Sequence, residues 1–542
     1  MKDSGRSSSM GNYQVKYSWD SYSKLIIVSF SVLQIMRWRI LPQFMDIFYH
    51  ILTAWGFIQA GGYSGWDFWQ YAPVGRTHIY PPFLHIVLAF LIKSGISKII
   101  LVKFLETAAP ITCMLTLWYF VKRNYSSRLA FFSMLMLGSS FSFYSSLSNY
   151  LPATLAMIFG FLGLDELFKV RFVRPALLFT LCFYTHIGMS WFFALSVILY
   201  GLFDKRYARV FFAAFAFALI LSAPMLYKQL TGLRYISISG IGNEKYFCEF
   251  KTIDYLLAFN AIWLLRKKDK KYRLFLAFFL SSLIFLPYPY RFINAQGYLP
   301  IILLSAMALD YLYEKFWDKR RYTKPLSIFL FGYILLFSPT VAMNKDMEKG
   351  GRIKYKIHLA DSALINLLLP GRNERIFSSL VWLPNEYLSL SQLIRENSLA
   401  GDIIYSKLYL LGIIASSLSE RASANGLFPE IAPSGKFDPF LVSKLIVVPQ
   451  DEDREMFEAI LKNYHLQKVG ENRLFIVYKN YLKSPSGDKS AKMHIERASL
   501  TFKAISLILA VWMLLFIFAG RIEHFLCKEN RLNYKCAFPL TK

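Results

Sequence analysis

A polar segment between the first two apolar stretches contains the side chains of this sequence that are best suited to chemistry. It begins MDIFYH, so Asp46 precedes His50 by four residues, and the two would share one face of a helix. A carboxylate placed there could act as a general base that accepts a proton from a substrate hydroxyl. The same spacing fits an aspartate that only caps the N-terminus of the following helix. Both interpretations of Asp46 remain open at this point.

The segment continues with WDFWQYAPVGR, which places Asp67 between Trp66 and Trp69. Aromatic rings beside a carboxylate are typical of a carbohydrate platform, because sugar faces stack on indole rings while the carboxylate binds hydroxyl groups. Tryptophan is equally typical of the aromatic belt at a membrane interface. The residues alone do not decide between these two interpretations.

Arg76, His78 and Tyr80 follow in GRTHIYPP. The planar guanidinium of an arginine is suited to a phosphate group, although Arg76 could equally be a surface residue of a polar loop. We consider these three residues, together with His50 and Asp67, candidates for substrate binding.

Three more candidates for substrate binding, Glu106, His186 and Arg291, lie in or beside later apolar stretches. An acid within a membrane span usually faces a polar cavity or a partner. His186 and Arg291 fall at predicted outer helix ends. An arginine there could hold the phosphate of a lipid carrier, or could simply extend to lipid headgroups.

The sequence does not indicate a metal site. Its histidines are scattered, and neither HExxH nor CxxC occurs. Asp46 and Asp67 could share a divalent cation only if the loop folded them together. We therefore assign no cofactor.

Composition indicates a membrane protein, since 55% of the 542 residues are hydrophobic and 17% are aromatic. A span requires about 20 apolar residues, and we predict about twelve spans. They lie near residues 24–41, 99–121, 129–147, 152–168, 175–189, 190–203, 208–227, 252–265, 274–289, 298–313, 325–342 and 499–519. Residues 83–95 are apolar but short, and we expect a juxtamembrane or re-entrant helix there.

The formal net charge of +27 follows membrane topology and does not indicate binding to nucleic acid. Lys and Arg occur in short runs at every second loop, whereas the loops near 148–151, 185–190 and 290–297 carry almost none. This pattern predicts a multi-pass protein of the cell membrane with both termini in the cytoplasm and the loop 42–98 outside. Residues 1–23 are expected to be a cytoplasmic tail and not a signal peptide.

The chain divides into a membrane region at 24–342, an outer domain at 343–498, a last span at 499–519 and a basic cytoplasmic tail at 520–542. Strand-like and helix-like segments alternate in the outer domain, which favours a small α/β fold. The five cysteines do not suggest a disulfide framework. The predicted fold class is an α-helical polytopic membrane protein with a small extracytoplasmic α/β domain.

The order of features around the first outer loop resembles that of GT-C membrane glycosyltransferases. Arg37 in the first span, Asp46 with His50, a Gly-Gly and Trp-Asp stretch and GRTHIYPP carry the resemblance. The superfamily includes oligosaccharyltransferase catalytic subunits, protein O-mannosyltransferases and bacterial aminoarabinose transferases, and this chain looks most like archaeal-type members. The resemblance implies a GT-C fold in which a lipid groove and an acceptor cavity meet near this loop.

The resemblance also implies roles for two residues. In such enzymes a first-loop acid is catalytic and the donor is a sugar linked to polyprenyl phosphate, such as dolichyl phosphate, so Asp46 would be the general base. The segment YRFINAQGYLP resembles one that holds a phosphate-binding arginine, which makes Arg291 the candidate for the donor phosphate. The implied reaction is the inverting transfer of a hexose or pentose to a glycan, lipid or protein acceptor.

The chain departs from oligosaccharyltransferases in two motifs. It has no WWDYG-type motif in its outer domain, and its next outer loop, SLSNYLPAT, lacks an acidic pair. We therefore expect transfer of single sugars and no firm requirement for a divalent cation. Two alternatives remain, namely a transporter or flippase of a lipid-linked saccharide that uses Glu106, and a receptor or scaffold that makes no demand on Asp46.

Overall fold

The computed structural model describes most of the chain. The described residues are 18–42, 46–235, 251–317, 323–337, 341–347, 353–359, 362–369, 383–427, 431, 433, 437–450, 454–481 and 492–529. Most of the predicted N-terminal tail and the second half of the predicted C-terminal tail lie outside the described residues.

Helices make up most of the described chain. The helices of the first half are α1 (Trp19–Met36), α2 (Ile47–Ala60), α3 (Phe83–Lys93), α4 (Lys98–Asn124), α5 (Ser127–Ser139), α6 (Phe141–Asn149), α7 (Leu151–Phe168), α8 (Val173–Thr185), α9 (Ile187–Phe203) and α10 (Lys205–Gly232). Those of the second half are α11 (Thr252–Leu264), α12 (Arg273–Ser282), α13 (Pro289–Ile293), α14 (Leu299–Leu312), α15 (Thr323–Phe337), α16 (Ala363–Leu368), α17 (Pro384–Asn397), α18 (Tyr409–Ser419), α19 (Pro439–Val442), α20 (Arg454–Asn463) and α21 (Phe502–Glu529).

The strands are short and fall into four groups. They are β1 (Gly62–Tyr63), β2 (Trp66–Asp67), β3 (Arg76–Thr77), β4 (Val341–Met347), β5 (Ile353–Leu359), β6 (Ile403–Tyr405), β7 (Ala422–Ser423), β8 (Leu445–Pro449), β9 (Leu466–Glu471), β10 (Phe475–Asn480) and β11 (Leu500–Thr501). The pairs are β1 with β11, β2 with β3 and β4 with β5, and the other five strands form one sheet.

Among the described residues, five helical stretches are long and apolar enough to cross a membrane, as judged by length and composition. They include α4, α7, α10, α14 and α21, and the pair α5 and α6, bent by 83°, would make a sixth. The prediction of about twelve spans is not confirmed. Several predicted spans, among them 252–265 and 274–289, correspond to helices shorter than the roughly 20 residues that a straight span requires.

Two of the helix breaks place a polar side chain at a helix end. Ser140 separates α5 from α6, and its hydroxyl accepts a hydrogen bond from the Phe143 amide at 3.4 Å. His186 separates α8 from α9, and its Nδ1 accepts from the Met189 amide at 3.0 Å. Each side chain satisfies an amide that has no intrahelical acceptor, so a new helix can begin there.

The first outer segment, which we define as residues 46–97, folds as α2, α3 and short strands. Helix α2 is buried along most of its length and ends at Gly61, whose φ of +84° is a conformation that glycine adopts readily. Strand β1 pairs antiparallel with β11, which directly precedes α21. The first outer segment is therefore linked by backbone hydrogen bonds to the start of the last helix.

The five-stranded sheet has the order β7–β6–β8–β10–β9. Strand β6 is parallel to β7 and β8, while β10 is antiparallel to β8 and β9. Between residues 402 and 480 the chain forms β6, α18, β8, α20 and β10, in which strands and helices alternate up to α20. The span predicted at 325–342 is helical only to Phe337, and β4 begins at Val341.

The first outer segment and the sheet share one hydrophobic core. Fully buried side chains of this core include Leu52 and Phe57 of α2, Ile414 of α18 and Val477 of β10. Burial of apolar area contributes roughly 25 cal/mol per Å², so this shared core stabilises both regions together.

Backbone hydrogen bonds reinforce this contact at the edge of the sheet. The Ala72 amide donates to the Ser423 carbonyl at 2.9 Å, and the Ser423 amide donates to the Trp69 carbonyl at 3.0 Å. The Tyr71 amide donates to the Asn425 carbonyl at 3.2 Å. The first outer segment thus satisfies backbone groups of the edge strand β7 that would otherwise face solvent.

Candidate functional site

A cavity of about 510 Å³ lies between the first outer segment, the ends of α6 and α9, and α13. We call it the outer cavity. Its polar and charged wall residues include Asp46, His50, Tyr80, His186 and Arg291. These are five of the nine residues that the sequence predicts for the site, and they come from distant parts of the chain.

Asp46 occupies the N-cap position of α2, but its side chain makes no capping hydrogen bond. It lies on the wall of the outer cavity and is partly exposed. The alternative in which Asp46 serves only as a helix cap therefore has no support from the geometry. Because the rest of α2 is packed in the core, the position of the carboxylate on the wall is fixed by the helix.

His50, one turn further along α2, is hydrogen bonded through Nδ1 to Nε2 of the buried His85 on α3, at 2.8 Å. His85 Nδ1 has no hydrogen-bond partner among the described residues. A buried ring N–H without an acceptor is unfavourable, so the His85 proton belongs on Nε2 and His50 accepts it. Neutral His50 then carries its own proton on Nε2 and is a hydrogen-bond donor.

The protonation of this histidine pair is controlled by burial. Burial lowers the pKa of His50 to about 3. Burial, with further contributions from His50 and His78, holds the pKa of His85 well below its usual value. Both rings are therefore uncharged at neutral pH, and His50 contributes a donor to the cavity but no charge.

Tyr80 lies within electrostatic range of both charged groups of the outer cavity. Burial raises the pKa of Tyr80 above its ordinary value, the positive charge of Arg291 opposes this rise, and the negative charge of Asp46 adds to it. The phenol is therefore protonated at neutral pH. A neutral hydroxyl in this position can donate a hydrogen bond to an anionic oxygen.

Arg291 lies on the short helix α13 and is held by two aromatic rings. Its Cζ is 5.4 Å from the ring centroid of Tyr150 and 4.9 Å from that of Tyr288. Such cation–π contacts stabilise a guanidinium at the edge of an apolar region. They keep a cation on the wall of the outer cavity.

His186 reaches the outer cavity because it lies at the break between α8 and α9. Its Nδ1 accepts the hydrogen bond that caps α9, so in the neutral ring the proton is on Nε2. Its ring centroid is 6.5 Å from that of Tyr80. His186 is thus a second imidazole donor on the wall.

Asp67, Arg76 and His78 do not line the outer cavity, so their role in substrate binding stays a prediction that this geometry does not support. Asp67 accepts a hydrogen bond from Arg76 Nε at 3.1 Å and is also bonded to His78 Nδ1, and all three side chains are buried. Burial raises the pKa of Asp67, but His78 and Arg76 outweigh it and the pKa lies below its usual value. These groups pair because isolated buried charges are costly.

The buried triad of Asp67, Arg76 and His78 is connected to the wall of the outer cavity. Arg76 Nη1 donates to the Leu427 carbonyl at 2.6 Å, and the Leu427 amide donates to Gln70 Oε1 at 3.1 Å. Leu427 itself lines the outer cavity. The triad therefore joins the first outer segment to the loop after β7 and fixes that part of the wall.

Glu106 is also absent from the cavity wall. It is 2% exposed, and its carbonyl accepts hydrogen bonds from Gln34 Nε2 of α1 at 3.1 Å and from Ser148 Oγ of α6 at 3.2 Å. Glu106 therefore lies where α1, α4 and α6 meet. The surrounding helices enclose Glu106, so its role in substrate binding stays a prediction without support from the cavity.

No group of three or more His, Cys, Asp or Glu side chains arranged to hold a metal ion occurs among the described residues. Asp46 lines the outer cavity and Asp67 is paired with Arg76 and His78, so the loop does not present these two carboxylates to the same cavity. The donor set of the described wall therefore does not resemble a divalent cation site.

Sequence reasoning missed the aromatic part of the wall. Tyr49, Tyr150, Trp191 and Tyr288 line the outer cavity, and His85 supports it through His50. A signal was present, because these aromatic residues directly neighbour predicted site residues or lie in the same outer helix ends. The pairing of His50 with His85 had no such signal, since it depends on how α2 packs against α3.

Solved oligosaccharyltransferase structures are similar in fold to this chain. The archaeal oligosaccharyltransferase AglB from Archaeoglobus fulgidus, in complex with an inhibitory peptide and a dolichol-phosphate, is similar with a TM-score of 0.53 at 10% sequence identity, over 79% of this chain and 69% of that chain. The apo oligosaccharyltransferase from the same organism gives 0.51 at 11% identity, over 80% and 70%. ArnT from Cupriavidus metallidurans gives 0.44 at 11% identity, over 80% and 97%.

The similarity to the oligosaccharyltransferase structures confirms the predicted GT-C-like fold. At these sequence identities it is a similarity of fold alone. No family model matches the sequence, and no curated protein matches it either.

Proposed function

We propose that the protein is a membrane glycosyltransferase that moves a sugar from a polyprenyl-phosphate-linked donor to an acceptor on the extracytoplasmic face. The observation that carries the proposal is that Asp46 and Arg291 line one cavity with neutral donors beside them. Glycosyl transfer from a phosphate requires a base for the acceptor and positive charge for the leaving group. The oligosaccharyltransferase of similar fold was solved with a dolichol-phosphate, which supports a polyprenyl carrier.

In the proposed reaction Asp46 accepts the proton of the acceptor hydroxyl. The acceptor oxygen attacks the anomeric carbon, and the bond from that carbon to the phosphate oxygen breaks. The electron pair leaves with the polyprenyl phosphate, and Arg291 stabilises the added negative charge. Tyr80, His50 and His186 would donate hydrogen bonds to phosphate or sugar oxygens.

The number of carboxylates on the wall favours inversion at the anomeric carbon. Asp46 is the sole Asp or Glu among the described residues that line the outer cavity. By analogy with glycoside hydrolases, a retaining double displacement needs a second carboxylate as nucleophile, whereas a single displacement needs one base. A single transferred hexose or pentose also agrees with the sequence, which lacks the oligosaccharyltransferase motifs.

The predicted topology places the outer cavity on the extracytoplasmic side. Nucleotide sugars are cytoplasmic, so a donor at that face has to be carried by a lipid. The acceptor would then be a glycan, a lipid or a protein that reaches the same face. Membrane lipids surround the spanning helices, and no nucleic-acid partner is proposed.

Substitution of Asp46 tests the proposal. We expect Asp46→Asn to lower kcat by about 100- to 10,000-fold, the range for loss of a general base. The assay uses the full chain in liposomes with hexosyl- and pentosyl-phosphoryl polyprenols, and measures the release of free polyprenyl phosphate. Asp438→Asn is the matched control, because Asp438 caps α19 through its side chain and does not line the outer cavity.

The assay also separates the alternatives. Full activity in both Asp46→Asn and Asp46→Ala would end the assignment of Asp46 as base. Transfer of the intact lipid-linked saccharide across the bilayer, without release of polyprenyl phosphate, would indicate the transporter or flippase. Absence of both activities, with no effect of Asp46 substitutions on folding, would favour the receptor or scaffold.

A further inference from the structure

A second cavity, of about 570 Å³, lies between α3, α8, α10 and α21. It shares no described wall residue with the outer cavity. Its wall is almost entirely apolar and includes Leu181, Leu221, Ile508 and Trp512. Its volume falls within the roughly 300–1,000 Å³ that is usual for small-molecule sites. We call it the lateral cavity, because α21 is largely exposed on its other face.

One cation interrupts this apolar wall. Lys228, near the C-terminal end of α10, lines the lateral cavity, and its Nζ is buried with no hydrogen-bond partner among the described residues. Its nearest aromatic contact is the ring of Tyr63, whose centroid is 4.4 Å away. Since Tyr63 belongs to β1, the lysine lies at the end of the cavity that is next to the first outer segment.

A buried ammonium without an acceptor is unfavourable, and a cation–π contact offsets only part of the cost. An anion that enters the lateral cavity would supply the missing acceptor. The remainder of the wall is mostly apolar and is suited to hydrocarbon groups. The complementary ligand is thus an amphiphile with a negative group at one end and a hydrocarbon chain beyond it.

We propose that the lateral cavity binds one membrane phospholipid with an anionic headgroup. The phosphate accepts a hydrogen bond from Lys228 Nζ, and an acyl chain packs between α8, α10 and α21. Because β11 precedes α21 and pairs with β1, this lipid would join the last helix to the first outer segment at a second point. The proposal does not depend on the reaction in the outer cavity.

The test measures lipid binding to the full chain in detergent by native mass spectrometry. Phosphatidylglycerol is compared with phosphatidylcholine of the same acyl chains. Lys228→Met should weaken binding of phosphatidylglycerol roughly tenfold or more, the order expected for loss of one charge-assisted hydrogen bond. Lys93→Met is the matched control, because Lys93 is an exposed lysine 4.5 Å from the Phe502 ring that does not line the lateral cavity.

A second variant keeps the charge of Lys228 and fills the apolar part of the lateral cavity. Ile508 is 53% exposed and lines the lateral cavity, so Ile508→Trp is tolerated by the fold and should also weaken phosphatidylglycerol binding. Equal affinity of the wild type for both lipids would overturn the proposal. So would wild-type affinity in Lys228→Met or in Ile508→Trp, or full competition by soluble glycerol phosphate.

Discussion

The described wall of the outer cavity contains a single carboxylate, and His50 and Tyr80 on the same wall are uncharged. His50 and Tyr80 are buried, and burial keeps the imidazole unprotonated and the phenol protonated. A charged imidazole one turn from Asp46 would form an ion pair with the carboxylate and make it a weaker base. The neutral His50–His85 pair therefore leaves Arg291 as the main positive charge for a phosphate.

The histidine pair predicts how stability depends on pH. In the unfolded chain His50 has an ordinary pKa near 6.5, whereas in the folded protein its pKa is about 3. Below about pH 6.5 His50 binds a proton in the unfolded state but not in the folded state. The stability contributed by neutral His50 is therefore complete above that pH and is lost progressively as the pH falls toward 3. We expect Tm to decrease as the pH is lowered through this window.

Substitution of the histidine should reduce that dependence. His50→Gln removes the titrating group, so the fall in Tm between about pH 6.5 and 4 should be shallower than in the wild type. Thermal unfolding of the purified protein at a series of pH values provides the measurement. His494→Gln, at an exposed histidine, should leave the profile unchanged. An unchanged profile in His50→Gln would show that His50 does not contribute to the acid sensitivity.

At the scale of elements, sequence patterns were sufficient for local conformation and insufficient for pairing. The strand and helix types between 402 and 480 follow from apolar alternation and periodicity, which are local properties. The pairing of Asp67 with Arg76 and His78 follows from how β2 pairs with β3, and no spacing rule distinguishes it from a ligand-binding cluster. The number of spans stays a prediction, because several of the predicted spans correspond to helices shorter than the roughly 20 residues of a straight span.

The packing of α18 offers a prediction at the same scale. A Cβ added to Gly412 would lie 1.9 Å from Asn425 Oδ1. Asn425 cannot turn away easily, since its Oδ1 accepts from the Ser406 amide at 2.9 Å and its Nδ2 donates to the Ser406 carbonyl at 2.7 Å. Gly412→Ala should therefore destabilise the protein by about 1–3 kcal/mol, despite the higher helix propensity of alanine.

The control for this substitution is a glycine with space around it. A Cβ at Gly520 of α21 meets no described atom within 4 Å, so Gly520→Ala should leave Tm unchanged or raise it. The measurement is the Tm of both variants, compared with that of the wild type in thermal unfolding. A Gly412→Ala protein as stable as the wild type would mean that α18 and the Ser406–Asn425 contact separate at little cost.

At the scale of the whole molecule, the shared core crosses the predicted boundary of the outer domain at 343–498. The first outer segment ends more than 240 residues before that boundary, yet it packs with the sheet and forms hydrogen bonds with its edge strand. The outer cavity lies on this joint structure, because its wall includes Asp46 from one part and Leu427 from the other. The conformation of a segment can be predicted from its own sequence, but the distant segment that packs against it cannot.

The shared core predicts that the sheet and α2 unfold as one cooperative unit. Val477 of β10 is fully buried, so Val477→Ala leaves a cavity that should cost roughly 2 kcal/mol. Hydrogen–deuterium exchange of the full chain should then accelerate in α2 as much as in β8 and β10. Val28→Ala on the exposed face of α1 should change neither region. Faster exchange confined to the sheet would show that the outer domain folds separately, as the sequence alone had suggested, and that the wall of the outer cavity is assembled from two independent units.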